Sequence, residues 1–411
     1  MSDTETHPPT VLCIASFFKG NEFLRECKRR GWGVVLLTRA KLLGEEWARE
    51  SIDELIAVPG EGDAEGYLDA ATRVALFVKV ARVVALEEYD IVSAARVREE
   101  LCLPGLGTTA ARYFQDKLAM RVRARDAGLR EPEFVHLIDP REVAEFVRRV
   151  PPPWMLKPRV GASAMGMRKL REPGEVWRAL AELDARANPR ERAAQHLLEG
   201  YLPGEVFHVD ALVADGRVLF ASAARYGAPP FDVAHAGGVS TSQTIERNSR
   251  DHRRLLAMNE KLLAAFGFRR GTTHAEFIKG ELDGEFHFLE VAARVGGAHT
   301  AEMVEAATGV NLWREWARLE TATPEFPYTL PPVRGDYGGI AISLARDERP
   351  DTSSFGDPEI VFRVNKPWHV GLVVRSPSRA RVVELLDSYA PRFAAHFTAT
   401  APPEETPTRH L

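Results

Sequence analysis

Short apolar runs separated by helix-forming stretches open the chain. Val11 to Ser16, Val34 to Leu37, Leu55 to Val58 and Val83 to Leu86 are continuous rather than alternating in hydrophobicity, as strands covered on both faces are. Between them, Glu22 to Arg30 closes at Gly31, and Ala64 to about Phe77 follows Pro59-Gly60. Strand and helix in alternation predict a parallel sheet of Rossmann-like type over residues 1–110. Leu103-Pro104-Gly105-Leu106-Gly107 punctuates its end. Asp116 is placed to cap a helix running from Lys117 to about Ala127 and stopped by Gly128. A strand is expected at Trp154 to Lys157, a helix around Val176 to Arg186, and mainly strands from Gln195 to Phe220. A helix is expected from Ser249 to Phe266, a hairpin over Thr273 to Val291, and a helix from Asn311 to Leu319. Prolines 324, 327, 331 and 332 mark a boundary. Beyond it come strands near Gly339 to Leu344 and His369 to Arg375, then a helix from Ser378 to Tyr389. The expected organisation is 1–110, 111–325, 326–396 and a disordered tail over 397–411.

Composition narrows the function class mainly by exclusion. A formal net charge of −4 offers no basic excess for a nucleic-acid partner. Cys13, Cys27 and Cys102 have no paired or metal-type spacing and read as reduced thiols. No apolar run reaches the ~20 residues of a membrane helix, and Met1 to Thr10 lacks the regions of a signal peptide, so a cytoplasmic protein is expected. The first strand is followed by Phe17-Phe18-Lys19-Gly20-Asn21, not G-x-G-x-x-G. The second ends in Thr38-Arg39, where a dinucleotide site wants an acid. A Rossmann-type oxidoreductase is therefore disfavoured.

Three stretches carry chemistry. Leu156-Lys157-Pro158 leads into the small-residue loop Gly161-Ala162-Ser163-Ala164-Met165-Gly166, whose backbone N–H groups could approach phosphate oxygens. A surface turn between two strands would have the same composition. Glu199-Gly200-Tyr201-Leu202-Pro203-Gly204-Glu205 sets an apolar segment between two acids, suiting a purine and a ribose, or equally a strand edged by solvated glutamates. Thr273 to Glu276 and Phe286 to Val291 flank a turn. If Glu276 faces Glu290 across a hairpin with loop Leu282-Asp283-Gly284, the two carboxylates share a face about 5 Å apart at Cβ, a pair of hard oxygen ligands suited to Mg²⁺. A two-residue Asp283-Gly284 turn would instead send them to opposite faces. Arg294, beside Gly296 and Gly297, could neutralise a phosphoryl group or hold a carboxylate, or form a structural ion pair.

In this order, Asp116-Lys117, the Lys157 strand and loop, Glu199 to Glu205, and Glu276, Glu290 and Arg294 resemble the ATP-grasp superfamily over about Leu103 to Glu320. Gly271-Thr272-Thr273-His274-Ala275-Glu276 and Glu290-Val291-Ala292-Ala293-Arg294-Val295-Gly296-Gly297 are most similar to its L-amino acid ligase branch, which makes dipeptides. The resemblance implies an α/β fold: a Rossmann-like domain, an ATP-grasp domain of two subdomains and a small C-terminal α+β unit. It implies that Lys117 and Lys157 bind ATP phosphates under a loop from Gly161 through Ala162 and Ser163 to Gly166. Glu199 and the backbone of Tyr201 and Leu202 would meet adenine, and Glu205 the ribose. Glu276 and Glu290 would hold Mg²⁺, for which Mn²⁺ could substitute, and Arg294 would lie between the γ-phosphate and the substrate carboxylate.

The implied activity is ATP-dependent joining of a small-molecule carboxylate to an amine through an acyl phosphate, without a nucleic-acid or membrane partner. Many members place a metal-ligand asparagine where this chain has Ala292, which leaves room for weaker metal binding. His274 shares a face with Glu276 in a regular strand and could orient a substrate or a phosphate. Arg225 to Phe231 and His235 to Gly238 are read as loops that could line the acceptor side. Alternatives are a non-catalytic ATP-binding regulatory protein, a ligase acting on a nucleotide precursor, and a carboxylase. General grounds favour a homodimer.

Overall fold

The computed structural model describes residues 8–59, 64–162, 164–186, 188 and 192–399. Ser163 of the small-residue loop and residues 400–411 of the expected tail lie outside the described residues. The chain remains packed up to that limit: Phe397 belongs to the C-terminal core and Thr398 bridges to Ala345.

Three sheets organise the structure. The first is wholly parallel, in the order Glu54–Val58, Gly33–Arg39, Thr10–Ala15 and Val80–Ala85. Its two central strands are buried along nearly their whole length, as their continuous apolar runs require. A small antiparallel sheet joins Phe134–His136, His196–Gly200, Trp154–Pro158 and Arg168–Leu170 around its own core, which includes Phe146, Trp154 and Val176. The third sheet has eight antiparallel strands. Phe286–Ala292, Gly271–Gly280, Gly204–Ala214, Arg217–Tyr226 and Ser240–Thr244 come first, then Tyr337–Leu344, His369–Ser376 and Ile360–Arg363. The C-terminal strands thus continue the central sheet, with Ser240–Thr244 paired to Tyr337–Leu344. One apolar core reaches from Leu12 and Ile14 of the parallel sheet to Phe207, Val209 and Phe277 of the large one, fixing the two against each other.

Local sequence explains most element ends. Asp116 accepts from the N–H groups of Leu118 and Ala119 and starts the helix Lys117–Asp126. Ser249 and Asn311 cap Arg250–Ala265 and Leu312–Glu320 in the same way. Gly204 opens its strand where a Cβ would lie 2.1 Å from the Lys279 carbonyl oxygen, so only glycine allows the two strands to meet there. Other elements depart from the sequence reading. The last helix runs on past Tyr389 to His396 through Pro391, because Phe393 continues the buried stripe of Leu386 and Tyr389. Residues Pro230–Ala236, expected in a loop, form a helix with proline at its first position. Ile91–Glu100, Pro140–Arg149 and Thr300–Thr308 are further helices that the apolar pattern left unassigned.

Asp116 also holds Arg159 (2.5 Å) and Arg112 (3.0 Å), tying the helix start to the small sheet. Asp116→Ala is expected to remove a cap and two ion pairs at a largely buried site and to destabilise by about 2–4 kcal/mol. A lowered midpoint in urea denaturation would show it; an unchanged midpoint would contradict this account of the helix start.

Candidate functional site

The hairpin of Gly271–Gly280 and Phe286–Ala292 brings Glu276 directly opposite Glu290. The route differs from the expected one. Near the turn the pairing is Lys279 with Phe286, and Gly280 closes the loop by accepting from the N–H of Gly284, which takes a left-handed φ of 64°. That pairing, carried on, would put the glutamates out of step. An irregularity at Leu289, the extra residue of a β-bulge, shifts the register by one and restores them to one face. The Arg121 guanidinium donates to the Leu289 carbonyl at 2.5 Å, and the N–H of Phe288 turns to the Arg130 carbonyl at 2.8 Å.

Across the sheet, Glu290, Glu276 and His208 form one row, and Ala292, His274 and Asp210 the next. Tyr226 donates its hydroxyl to Glu276 Oε1 at 2.8 Å. Lys117 Nζ lies 2.9 Å from Glu290 and donates to the Gly161 carbonyl at 2.6 Å. Burial works to raise the Glu290 carboxyl and to lower the Lys117 ammonium. Each nevertheless stays charged, because Lys117 holds Glu290 below its usual range and Glu290 with Glu88 holds Lys117 above its own. Two facing carboxylates with a lysine on only one of them are a hard-oxygen donor set, and Mg²⁺ fits it. Ala292 adds no ligand.

One cavity between the small and central sheets is lined by Lys117, Lys157, Gly161, Ala162, Glu276 and Glu290. Glu199, Tyr201 and Leu202 line it too, together with an apolar slot of Met155, Ile278 and Leu289. Lys157 reaches Glu199 at 2.5 Å, and Arg121 reaches its other oxygen at 2.8 Å. Against burial, these two cations keep the Glu199 carboxyl below its ordinary range. The N–H of Tyr201 is taken by the Pro153 carbonyl at 3.0 Å, and the Lys169 ammonium sits 3.5 Å above the Tyr201 ring. Gly166 has φ 65° and stands between cavity-lining Met165 and Met167. The Pro230–Ala236 helix adds Phe231 to the wall. The His235 ring nitrogens lie 2.9 Å and 3.0 Å from the Phe231 and Met167 carbonyl oxygens, linking that helix to the small-residue loop.

Three expected site residues stand apart from this cavity. Glu205 is half exposed and ion-paired with Arg225. Arg294 follows the Phe286–Ala292 strand, where its Nε donates to Glu88 Oε2 at 3.0 Å, its Nη2 contacts the same oxygen, and its Nη1 donates to the Val295 carbonyl at 2.9 Å. His274 Nδ1 is 2.8 Å from Asp210 Oδ1. Asp210 Oδ2 meets His208 Nδ1 at 2.6 Å, and His208 Nε2 meets the Ser242 hydroxyl at 2.7 Å. With burial opposing it, Asp210 lifts His274 to about 10, so a charged imidazolium presents Nε2 toward Glu276, 3.5 Å away.

Sequence reasoning missed Glu87-Glu88-Tyr89-Asp90, at the carboxyl end of the last parallel strand. Glu87 contacts Lys19 and accepts the Glu88 N–H, Glu88 holds Arg294, and Tyr89 Oη accepts the Ala162 N–H at 3.0 Å. Asp90 accepts the Ser16 N–H at 2.7 Å, and burial pushes its carboxyl up to about 7. The signal was available: polar residues just beyond a parallel strand's C-terminal end sit where open α/β sheets bind ligands.

Residues 150–302 match the ATP-grasp domain family. The chain is 23% identical over 261 residues to an L-arginine-specific L-amino acid ligase of Bacillus subtilis. That match takes in 63% of this chain and 62% of the relative's length. Among solved structures it resembles an L-amino acid ligase from Bacillus licheniformis (TM-score 0.73, 18% identity), with 96% of this chain and all of that one covered. It also resembles the biotin carboxylase domain of the Hydrogenobacter thermophilus 2-oxoglutarate carboxylase, crystallised with MgADP and bicarbonate. There the TM-score is 0.68 with 18% identity, over 93% of this chain and 90% of that one. The fold is the ATP-grasp fold. No helix among the described residues is long and apolar enough to cross a membrane.

A Cβ on Gly296 would lie 2.8 Å from both Asp210 Oδ1 and His274 Nδ1, whereas one on Gly297 would meet nothing within 4 Å. Gly296→Ala is therefore expected to lower the thermal midpoint by several degrees and Gly297→Ala to leave it nearly unchanged. Equal effects of the two substitutions would contradict the close packing of this loop on the Asp210–His274 pair.

Proposed function

We propose that this chain, which carries an ATP-grasp domain at residues 150–302, is a Mg²⁺- and ATP-dependent ligase that joins a carboxylate to an amine. The observation that carries the reading is Glu276 facing Glu290 in one cavity with Lys117 and Lys157. Facing acids suit a divalent cation, the lysines suit phosphate oxygens, and the apolar slot beside Tyr201 and Leu202 suits a purine. The relatives named for amino acid ligation support an amino acid as the carboxylate.

In this reading Glu276 and Glu290 hold Mg²⁺, and Mn²⁺ substitutes in the same oxygen set. Held by these two carboxylates, a divalent cation would supply charge neutralisation for the phosphates. Lys117 and Lys157 take the phosphates under the Gly161–Gly166 loop, with Ser163 part of that loop. Glu199 orients Lys157 through its 2.5 Å contact, which is a different task from the adenine contact expected of it. Glu205, paired with Arg225, meets a ribose only by leaving that partner. We further take the protein to act in the cytoplasm.

The first step brings a carboxylate oxygen onto the γ-phosphorus and expels ADP. Two unit negative charges at 4 Å repel by about 1 kcal/mol in water and several-fold more in a dry site. Lys117, Lys157, Arg294 and the charged His274 offset that repulsion and stabilise charge on the transferring group. An amine then attacks the carbonyl carbon of the acyl phosphate, and phosphate leaves. Water has to be kept out between the two steps. The His235 link between the Pro230–Ala236 helix and the Met167 backbone holds the cavity's outer wall in place for this.

Hydroxylamine intercepts an acyl phosphate whatever the natural amine. With Mg-ATP and a panel of amino acids and other carboxylates, the protein is expected to form ADP and hydroxamate from one class. Glu290→Ala is expected to reduce the rate at least a hundredfold. ATP binding without ADP or hydroxamate from any carboxylate would sink the ligase reading.

A further inference from the structure

A second cavity, of about 300 Å³, shares no lining residue with the cavity of Lys117 and Lys157. The last parallel strand, the Pro104-Gly105-Leu106 turn, the segment Gly267 to Arg270 and the Leu312–Glu320 helix meet around it. Val83, Phe268 and Trp316 give it apolar walls. Its charged lining sets Arg82, Arg98, Arg269 and Arg270 against two carboxylates, Glu320 and exposed Asp215, so positive charge is in excess.

These guanidinium groups are short of acceptors. Arg82 Nη1 donates to the Ala81 carbonyl at 2.8 Å, and Arg270 Nη2 contacts the Leu319 carbonyl. The Nε atom of each is buried and has no hydrogen-bond partner among the described residues. Glu320 does not supply one. Its Oε2 lies 3.6 Å from Arg82 Nε and 3.4 Å from Arg270 Nε without hydrogen-bond geometry, and its Oε1 accepts from Trp316 Nε1 at 3.1 Å. Arg98 gives two donors to the Val83 (3.0 Å) and Leu106 (2.8 Å) carbonyls and forms no ion pair among the described residues. Burial pushes it down to about 10, with Glu320 and Glu99 pulling the other way. Gly105 packs on its stem, where a Cβ would lie 2.6 Å from Arg98 Cδ, so the turn holds that guanidinium in place. Buried N–H groups without acceptors are costly, and here two of them stand on guanidinium groups that share one carboxylate.

We propose that this second cavity is a ligand site for a small organic anion, one that carries a phosphate or a carboxylate on a compact apolar body. Guanidinium groups take either oxyanion through paired N–H donors, and the two Nε–H groups gain the acceptor they lack. The volume and the apolar walls suit a molecule with a hydrocarbon body better than a bare inorganic anion. A neutral molecule of the same shape leaves the arginines unpaired and is selected against. A ligand in this cavity touches both the first unit and Ala293, the residue before Arg294.

The test is calorimetry on the full chain, saturated with Mg²⁺ and a non-hydrolysable ATP analogue so that anions are kept out of the Lys117 and Lys157 cavity. Phenylphosphate and benzoate are the probes, one for each oxyanion. Benzyl alcohol serves as the neutral body and inorganic phosphate as the anion without a body. The tighter of the two probes is expected to bind one site per chain with Kd below about 1 mM, at least tenfold tighter than either control. Which probe that is tells phosphate from carboxylate. Arg270→Gln and Arg82→Gln are each expected to weaken its binding at least tenfold and to leave the affinity for the ATP analogue unchanged. Should one variant not fold, the other decides, and the wild-type comparison with benzyl alcohol stands without either. No saturable binding of either probe, equal binding of benzyl alcohol, or undiminished affinity in the variants would overturn the proposal. Each of these results leaves the ligase reading intact, since that reading rests on the other cavity.

Discussion

Carboxylates gathered in and beside one cavity, Glu87 and Glu199 fully buried and Glu88, Glu276 and Glu290 partly so, are the constraint on which the structure around it depends. Glu87, Glu88, Glu199, Glu276 and Glu290 come together from three sheets, and each would be costly there without a partner. The partners also come from different sheets and helices. Lys117 from a helix start meets Glu290 on the central sheet, Lys157 on the small sheet meets Glu199, and Arg294 after the central sheet meets Glu88 beyond the parallel one. The ion pairs therefore fix how the units stand around the cavity as well as which charges line it. Removing one partner of such a pair leaves an uncompensated buried charge, a larger loss than the pair's own net contribution.

The same arrangement prepares the site for anions. Lysines paired with glutamates can change partner to phosphate when a nucleotide enters, and the glutamates then suit a divalent cation. His274 follows this logic at one remove. Asp210 fixes one ring nitrogen, His208, itself held by Ser242, fixes Asp210, and Gly296 passes over the pair at a distance that no side chain would permit.

What could be read from the sequence was read best where the physics is local. Asp116 capping Lys117–Asp126, the Lys157 strand and the left-handed Gly284 depend on neighbours a few residues away. The facing of Glu276 and Glu290 was anticipated, but through the wrong device. The loop was expected to set the register, whereas the irregularity at Leu289 sets it, and that rests on Arg121 and Arg130, more than 150 residues earlier. Long-range pairing also hid the Glu87–Asp90 loop, whose partners Arg294 and Ala162 follow strands of other sheets. Glu205 could not be placed from the sequence for a related reason: alternation along the strand leaves it exposed beside Arg225, outside the cavity that its neighbours Gly204 and Val206 line.

The central claim is that a carboxylate oxygen attacks the γ-phosphate of ATP in this cavity. Its most direct test uses an amino acid labelled with ¹⁸O in the carboxylate, with mass analysis of the inorganic phosphate released during turnover with Mg-ATP and an amine. One ¹⁸O atom transferred to each phosphate is the result this account predicts. Phosphate free of label, at the same rate of ADP formation, would contradict it and show that water rather than the carboxylate receives the phosphoryl group.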